Sequence, residues 1–415
     1  MKHKKLLALA LAAACLAGTI GCAAKNASVK DLTKDTKKIE QKVDLDETEK
    51  KNTTQALTGF GLRLLQNAAQ SENPLISPLS VAAALSMTAN GAAGETKTQM
   101  EQVLGTDSER LNGYFSSLSS SLQKDKQLRL ANSIWMKDTD TLHVEEAFLQ
   151  ENSNDFGAGI FSAPFDEATR NAINAWVSEH TDKMIPEILH EIPDDTVMYL
   201  VNALAFDAKW ESIFETSDVW QGSFTARSGE QQSGDYLHGV SREYLSGEHA
   251  EGFLKYYEGG TYAFAALLPD EDASIEEFAA GLTGQQLHAI LTSPEQTSVE
   301  FAMPKFKTEF SAELSESLMA LGMTNAFDGV LADFSALGTS DEGNIHISRV
   351  FHKTFIQVDE AGTKAGAATA VEMTTESAAL YPHSVILNRP FVYMIVDMES
   401  KLPVFIGMLT ELPEV

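Results

Sequence analysis

The chain of 415 residues has only two cysteines, Cys15 and Cys22, and both lie near its N-terminus. The rest of the chain therefore has neither a disulfide framework nor a cysteine nucleophile. Basic residues are also few, because 31 Lys and Arg stand against 59 Asp and Glu and give a formal net charge of −28. Nucleic-acid binding needs a basic face, and no run of basic residues in the body supplies one. We therefore expect no nucleic-acid partner.

Enzyme motifs are missing as well. The sequence contains no Gly-x-Ser-x-Gly elbow, no Gly-x-x-x-x-Gly-Lys loop and no cysteine pair with metal-ligand spacing. His190-Glu191 begins like a zinc-binding helix, but Asp194 stands where the second histidine is needed. His352 shares the strand parity of Val350 and Ile356, which predicts a hydrogen-bonded core histidine rather than a catalyst. We therefore predict no enzyme activity, no cofactor and no metal site.

The N-terminal segment has the pattern of an export signal. Three lysines within the first five residues precede an apolar stretch from Leu6 to Ile20, which is too short and too Ala-rich for a membrane span. Gly21-Cys22 resembles the lipobox of bacterial lipoproteins, in which the cysteine is acylated and becomes the mature N-terminus. Thr19 stands where an aliphatic residue is usual, so ordinary signal cleavage is the alternative. We predict a signal peptide over 1–21 and lipidation at Cys22, with anchoring to the bacterial cell surface or envelope, or an extracellular protein if the chain is only cleaved.

Residues 25–51 are polar and mixed in charge, with eight Lys against seven Asp and Glu. Such a composition favours a solvated coil. We predict a tether over 22–51 that joins the membrane anchor to a single domain over 52–415. A flexible coil of about 30 residues would let this domain range roughly 30 Å from the membrane.

Helix and strand signals in the body indicate an α+β fold. Ser77 is a good N-cap and Pro78 suits the first helical position, which predicts a buried helix. Gly91 and Gly94 end this helix, and a second helix then runs to Leu104. Further helices are expected at 168–179, 274–282 and 311–321, and strands at 197–206, 262–268, 299–303, 391–398 and 402–409, the last two as a hairpin. Most predicted helices lie in the first half of the chain and most predicted strands in the second, without regular βαβ alternation. This distribution indicates the α+β class.

The most informative segment runs from Glu360 to Ala370 and reads Glu-Ala-Gly-Thr-Lys-Ala-Gly-Ala-Ala-Thr-Ala. It has almost no side chain to pack, yet alternate residues from Thr363 to Met373 fall on one strand face, while Lys364 and Glu372 mark the other. One face can enter a buried sheet and the other tolerates water. The segment can therefore exist as a loop or as a strand.

Six segments in chain order resemble one family, the serpins (serine protease inhibitors), and together they span about 52–413. The segment 360–369 resembles the hinge of inhibitory members. The other five are 73–81, 201–210, 303–306, 388–391 and 405–407. Lys183-Met184 departs from the family, which usually has Gly-Lys there. The resemblance implies a serpin fold with about nine helices around three β-sheets and an exposed reactive-centre loop over about 360–381.

What is known of serpins implies a function. The target protease cleaves the loop and forms an acyl-enzyme, and the freed hinge then inserts into the large sheet and carries the protease with it. This implies a monomeric inhibitor of serine or cysteine endopeptidases. A hinge without proline or a charged core-facing residue fits this reading; its residues are Glu360, Gly362, Thr363, Ala365, Ala367, Ala368 and Thr369. The alternatives are a non-inhibitory serpin acting as a binding or chaperone-like surface protein, and a hydrolase with dispersed catalytic residues.

The resemblance also assigns individual positions. Glu376 is the seventeenth residue counted from Glu360, which is the usual family spacing to the scissile bond. We predict Glu376–Ser377 as the reactive bond, with Thr375, Ala379 and Tyr381 as alternatives. The gate beneath the sheet, called the shutter, and the end of the sheet where insertion starts, called the breach, are implied to contain Ser77, Ser80, Asn202, His352 and Trp210.

Overall fold

The computed structural model describes residues 29–36, 45–122, 125–156, 159–194, 196–341, 343–363 and 381–413. These ranges contain nine α-helices: α1 (Glu47–Asn67), α2 (Pro78–Ala89), α3 (Gly94–Leu104), α4 (Ser108–Leu122), α5 (Glu146–Asp155), α6 (Glu167–His180), α7 (Ile275–Gly281), α8 (Gly284–Thr292) and α9 (Ser315–Ala320).

The strands of the same ranges are β1 (Lys30–Asp31), β2 (Leu75–Ile76), β3 (Leu128–Lys137), β4 (His143–Val144), β5 (Gly159–Ala163), β6 (Met198–Phe206), β7 (Ala208–Lys209), β8 (Val219–Thr225), β9 (Gln231–Gly247), β10 (Ala250–Tyr256), β11 (Tyr262–Pro269), β12 (Glu295–Pro304), β13 (Phe306–Glu313), β14 (Gly338–Thr339), β15 (Arg349–Val358), β16 (Gly362–Thr363), β17 (His383–Ile386), β18 (Phe391–Asp397) and β19 (Pro403–Leu409).

The strands form three sheets. The large sheet has the order β1-β5-β3-β6-β15-β16-β7, with β13 paired to the other edge of β15. The second sheet has the order β17-β12-β9-β10-β11-β18-β19-β2, and β8 pairs with β9. β14 and β4 form a two-stranded sheet. Parallel βαβ alternation does not organise either large sheet, so the α+β prediction is confirmed.

The buried helix α2 connects the two large sheets. Ser77 caps it, because its hydroxyl accepts the Ser80 amide at 3.0 Å, and Pro78 takes the first helical position. Every residue of α2 is buried, and the helix contacts β3, β6 and β19. A helix that is apolar all round belongs in such a central position. The predicted helix that begins at Ser77 is confirmed.

The predicted helix over 311–321 is wrong at its start. Residues as far as Glu313 belong to β13, in which Phe306, Thr308 and Phe310 alternate inward, and the helix begins only at Ser315. The strand continues because it pairs with β15 along its whole length. Pairing with a distant strand overrides the local helical pattern.

The structure differs from the predicted tether over 22–51 in two places. Lys30 and Asp31 form a strand that pairs with Ser162 and Phe161 at the edge of the large sheet, and Lys30 Nζ lies 2.8 Å from the Asp138 carboxylate. Helix α1 begins before residue 52, because Asp46 forms a capping box with Glu49. Two apolar residues explain the first difference, since Val29 and Leu32 pack on the hydrophobic core. The predicted signal peptide over 1–21 and Cys22 lie outside the described residues.

Candidate functional site at the open end of the large sheet

The large sheet is open at one end. β6 and β15 are parallel neighbours that pair directly from Tyr199 and Arg349 to Ala205 and Phe355. Beyond this point the short strand β16 lies between β15 and β7, which continues the chain of β6. Thr363 pairs with Val358 on one side and with Ala208 on the other.

The pairing register at this end of the sheet shows that β16 occupies the position of a strand inserted between β6 and β15. Val358 and Ala208 have the same offset in sequence as Phe355 and Ala205, so they would be direct partners if β6 and β15 stayed together. Thr363 instead takes the place between them. The first step of an additional strand is therefore already present between β6 and β15.

A tight turn brings the chain back from β15 into β16. The Asp359 amide donates to the Gly362 carbonyl at 3.0 Å, and the Asp359 carboxylate accepts from the amides of Ala361 and Gly362 at 2.9 and 3.2 Å. A Cβ at Gly362 would collide with the backbone of Ala208 and Lys209. Only glycine allows the two backbones to approach this closely. Burial raises the pKa of Asp359 above its usual range.

Trp210 and Tyr257 contact the turn and β16 through hydrogen bonds. The Trp210 indole donates to the Asp359 carbonyl at 2.8 Å, and its amide donates to the Ala361 carbonyl at 3.0 Å. The Tyr257 ring stacks on the indole at 4.4 Å, and its hydroxyl lies 2.7 Å from Thr363 Oγ1. Tyr257 and Thr363 are fully buried. These contacts place Trp210 beside the hinge, and its role in the breach stays a prediction.

Glu360 forms an ion pair at the same end of the sheet. Lys305 Nζ lies 2.7 Å from its carboxylate, and the Phe214 amide donates to its carbonyl at 2.9 Å. Partial burial acts to raise the pKa of Glu360, but the hydrogen bond and charge of Lys305 bring it below its usual value. Both side chains are partly exposed, so this pair contributes less than about 1 kcal/mol to stability.

A buried polar network joins β6 and β15 farther down the sheet. His352 Nε2 accepts the Ser77 amide at 3.1 Å, so Nδ1 carries the ring proton and donates to Asn202 Oδ1 at 2.6 Å. Asn202 donates in turn to the Phe351 carbonyl at 2.7 Å. His352 is fully buried, and burial lowers its pKa to about 3. The histidine is therefore neutral near pH 7 and hydrogen-bonded in the core, on the inward face that its strand parity predicts.

Ser80 extends this network to the next strand. Its hydroxyl donates to Asn132 Oδ1 at 3.1 Å, and Asn132 Nδ2 returns a bond to the Ser80 carbonyl at 3.1 Å. The structure thus brings Ser77, Ser80, Asn202 and His352 together. Sequence reasoning missed Asn132, Tyr257, Asp359 and Lys305, and the only local signal for Asn132 is a polar residue inside an apolar strand.

Several predicted site residues lie outside the described residues: Ala365, Ala367, Ala368, Thr369, Thr375, Glu376, Ser377 and Ala379. Tyr381 is where the described chain resumes before β17. Within the described ranges, no group of three His, Cys, Asp or Glu side chains is placed to hold a metal ion. None of the helices in those ranges is long and apolar enough to cross a membrane.

Comparison with known proteins identifies this architecture. The family described as Serpin (serine protease inhibitor) matches residues 55–412. The chain belongs to the serpin family. Leukocyte elastase inhibitor of Sus scrofa is 31% identical over 386 residues, which cover 86% of this chain and 98% of the relative. Iris of Ixodes ricinus is 32% identical over 356 residues, which cover 82% and 92%.

A solved structure confirms the fold. The crystal structure of the thermophilic serpin Tengpin in the native state is similar to this chain with a TM-score of 0.87 and 41% identity, and covers 93% of this chain and 100% of that one. The predicted serpin fold is therefore confirmed. Serpins are generally protease inhibitors rather than catalytic enzymes, and the relatives of this serpin include protease inhibitors.

Proposed function

We propose that this serpin inhibits serine or cysteine endopeptidases as a suicide substrate, by inserting its cleaved reactive-centre loop into the large sheet. The observation that supports this most strongly is the position of Thr363. It is buried between β15 and β7, in the register of a strand that separates β15 from β6. Further insertion of the loop would extend a strand that Thr363 already begins between β15 and β7.

The register specifies what insertion must do. A strand antiparallel to β15 that starts with Thr363 opposite Val358 places Ala365, Ala367 and Thr369 opposite Ile356, Thr354 and His352. Seven direct pairs between β6 and β15 have to separate. One of these pairs is Asn202 with His352, so their 2.6 Å hydrogen bond has to break as the strand passes. The network of Ser77, Asn202 and His352 is therefore the gate that resists premature insertion.

The residue types of the loop agree with this path. Residues on the Thr363 face up to Met373 are Thr, Ala, Ala, Thr, Val and Met, all small or apolar. An inserted strand from Thr363 to Glu376 gains hydrogen bonds at roughly 1 kcal/mol each and buries this face, on the order of 10 kcal/mol in total. It moves an acyl-enzyme at Glu376 by roughly 40 Å along the sheet. That energy is sufficient to distort a protease active site before it deacylates.

The reactive bond proposed is Glu376–Ser377, with Thr375, Ala379 and Tyr381 as alternatives. Glu376 favours a protease with a basic primary pocket. Mass spectrometry of the released C-terminal peptide tests this directly. A peptide that begins at any residue other than Ser377 refutes the assignment.

We also propose that Cys22 is acylated and anchors the serpin to the bacterial envelope. Lys30 is paired in the large sheet, and Cys22 lies eight positions before it. Eight extended residues reach about 28 Å, so the β1–β5 edge would face the membrane. Fractionation of wild type and Cys22→Ala tests this: acylation predicts that only the variant is released. A wild-type protein that fractionates with the soluble proteins refutes it.

The central experiment mixes the serpin with a panel of proteases, namely a glutamate-specific serine protease, trypsin, chymotrypsin, pancreatic elastase, subtilisin and papain. A band at the summed mass that survives boiling in denaturing buffer is expected for at least one of them. Clean loop cleavage by all of them, with no complex, favours the non-inhibitory alternative. Turnover of a chromogenic ester by the serpin alone favours a hydrolase.

A further inference from the structure

A small polar cavity lies where the C-terminal end of α2 meets α4 and α5. Its volume is about 200 Å³, and every residue that lines it is Asn, Ser, Lys, Asp or Glu. None of the hinge or buried-network residues described above lines it. A polar cavity of this size holds a few waters or a hydrated ion, and it is too small for most organic ligands.

Two hydrogen-bonded rungs join α4 to α5 at this cavity. Asn112 and Ser116 are four positions apart on α4, and Glu151 and Asp155 are four positions apart on α5, so each pair shares one helix face. Asn112 Nδ2 donates to Glu151 Oε1 at 2.8 Å, and the Ser116 hydroxyl donates to the Asp155 carboxylate. Both carboxylates are therefore held beside each other.

These two carboxylates lack a counter-ion. Within the part of the chain that the structure describes, neither Glu151 nor Asp155 forms an ion pair, although Lys97 lines the cavity and its charge acts on Glu151. Burial raises the pKa of both groups, and the charge of Glu151 raises the pKa of Asp155 further, to about 6. Like charges four positions apart on a helix repel each other, so a cation between them would be stabilising.

A buried amide oxygen points independently to a bound ion. Asn112 is only 7% exposed, and its Nδ2 donates to Asn90 Oδ1 at 2.9 Å as well as to Glu151. These two bonds fix the orientation of the amide, because exchanging its nitrogen and oxygen would set oxygen against oxygen. Asn112 Oδ1 then has no hydrogen-bond partner among the described residues. A buried acceptor of this kind is costly unless a cation or a water lies against it.

We infer that this cavity is a calcium site, in which the carboxylates of Glu151 and Asp155 and the amide oxygen of Asn112 bind the ion and waters complete its shell. Hard oxygen ligands suit Ca²⁺ better than the transition metals. Ca²⁺ also tolerates irregular geometry, whereas Mg²⁺ demands a near-ideal octahedron. Two carboxylates make a weaker site than three would, so we expect a dissociation constant of about 0.1–1 mM, as in extracellular calcium modules. The site is independent of the proposed inhibitory function.

The inference predicts a calcium-specific stabilisation of the intact protein. A protein with a net charge of −28 attracts any divalent cation diffusely, so magnesium chloride at the same concentration is the reference. Calcium chloride at roughly 10 mM should raise the midpoint of thermal unfolding by about 2–4 °C more than magnesium chloride does. Calorimetric titration with calcium chloride should show saturable binding in the range of about 0.1–1 mM.

Three variants locate the binding. Asp155→Asn keeps the shape of the side chain and removes one charged ligand, so calcium affinity should fall at least about tenfold, while the midpoint without calcium stays the same or rises as the repulsion is lost. Lys97→Met removes a competing positive charge and should tighten calcium binding about threefold. Glu146→Gln is the matched control, because it makes a similar charge change at an exposed position of α5 that does not line the cavity.

Three results overturn the inference. One is an equal rise of the midpoint in calcium and in magnesium, which assigns the effect to diffuse screening. Another is a calcium response of Asp155→Asn that equals the response of wild type. The third is an equal loss of calcium affinity in Glu146→Gln and Asp155→Asn. Glu151→Gln repeats the test at the other rung, so the misfolding of one variant leaves the test intact.

Discussion

Replacement of Tyr257 by Phe tests whether the first step of insertion is held by a specific contact. The ring would keep its stacking on Trp210 at 4.4 Å and its edge contact with Phe206 at 4.9 Å. Only the hydroxyl 2.7 Å from Thr363 Oγ1 is removed. Thr363 is fully buried, so its hydroxyl loses a partner that water cannot replace.

The expected cost follows from that burial. A buried hydroxyl left without its partner costs about 1–3 kcal/mol. The cost applies only while Thr363 is in the sheet, so the opening equilibrium of the hinge increases about fivefold to 150-fold. Hydrogen exchange of a peptide covering 355–363 should show this increase at the amides of Gly362 and Thr363. The rest of the large sheet should exchange as in wild type.

Thr363→Val and the double variant complete a mutant cycle. Valine has no hydroxyl at position 363, so it neither forms the hydrogen bond to Tyr257 nor leaves a buried hydroxyl without a partner. The double variant should therefore exchange more slowly than the sum of the two single effects predicts. A coupling of about 1 kcal/mol is expected from a neutral buried hydrogen bond. Exchange in Tyr257→Phe within twofold of wild type, or strictly additive effects, would refute the reasoning.

Three further predictions follow from the same region and from the N-terminal strand. Thr363→Arg puts a charge at a fully buried position, so the variant should be cleaved as a substrate without a boil-resistant complex, whereas Thr363→Ser should still form one. The pKa of His352 is about 3 in the folded protein and about 6.5 in the unfolded chain. The contribution of the neutral histidine to the free energy of unfolding is therefore complete above about pH 6.5 and falls as the pH drops towards 3. The loss at pH 5 is about 2 kcal/mol in urea unfolding, and a His352→Gln variant should lack this part of the pH dependence. A chain that begins at Lys37 loses β1 and the burial of Val29 and Leu32, so its unfolding free energy should fall by about 1–3 kcal/mol, and an unchanged urea midpoint contradicts this.

Local patterns in the sequence predicted the parts of the fold that depend on local chemistry. The cap at Ser77 and the buried face of α2 are examples, because capping and apolar content act within one helix. The buried positions of His352 and Thr363 are further examples, because side chains of a strand alternate between its two faces every second residue. The role of the hinge came from the family resemblance instead.

Contacts between distant segments could not be predicted in the same way. Lys30 lies in a polar run, and only its pairing with Ser162 reveals that this run joins the large sheet. Tyr257 and Lys305 reach the hinge from strands that no local pattern relates to Thr363 or Glu360. β13 kept its strand conformation past residue 311 because β15 pairs with it. In each case tertiary pairing decided what local propensity left open.

The central claim is that a segment that is loop before cleavage becomes a strand after it. Thermal unfolding of the intact serpin and of the serpin cut once within 364–380 tests this most directly. Insertion on the order of 10 kcal/mol should raise the midpoint by about 10–20 °C in a domain of this size. A cleaved serpin that unfolds at or below the temperature of the intact one would contradict the account.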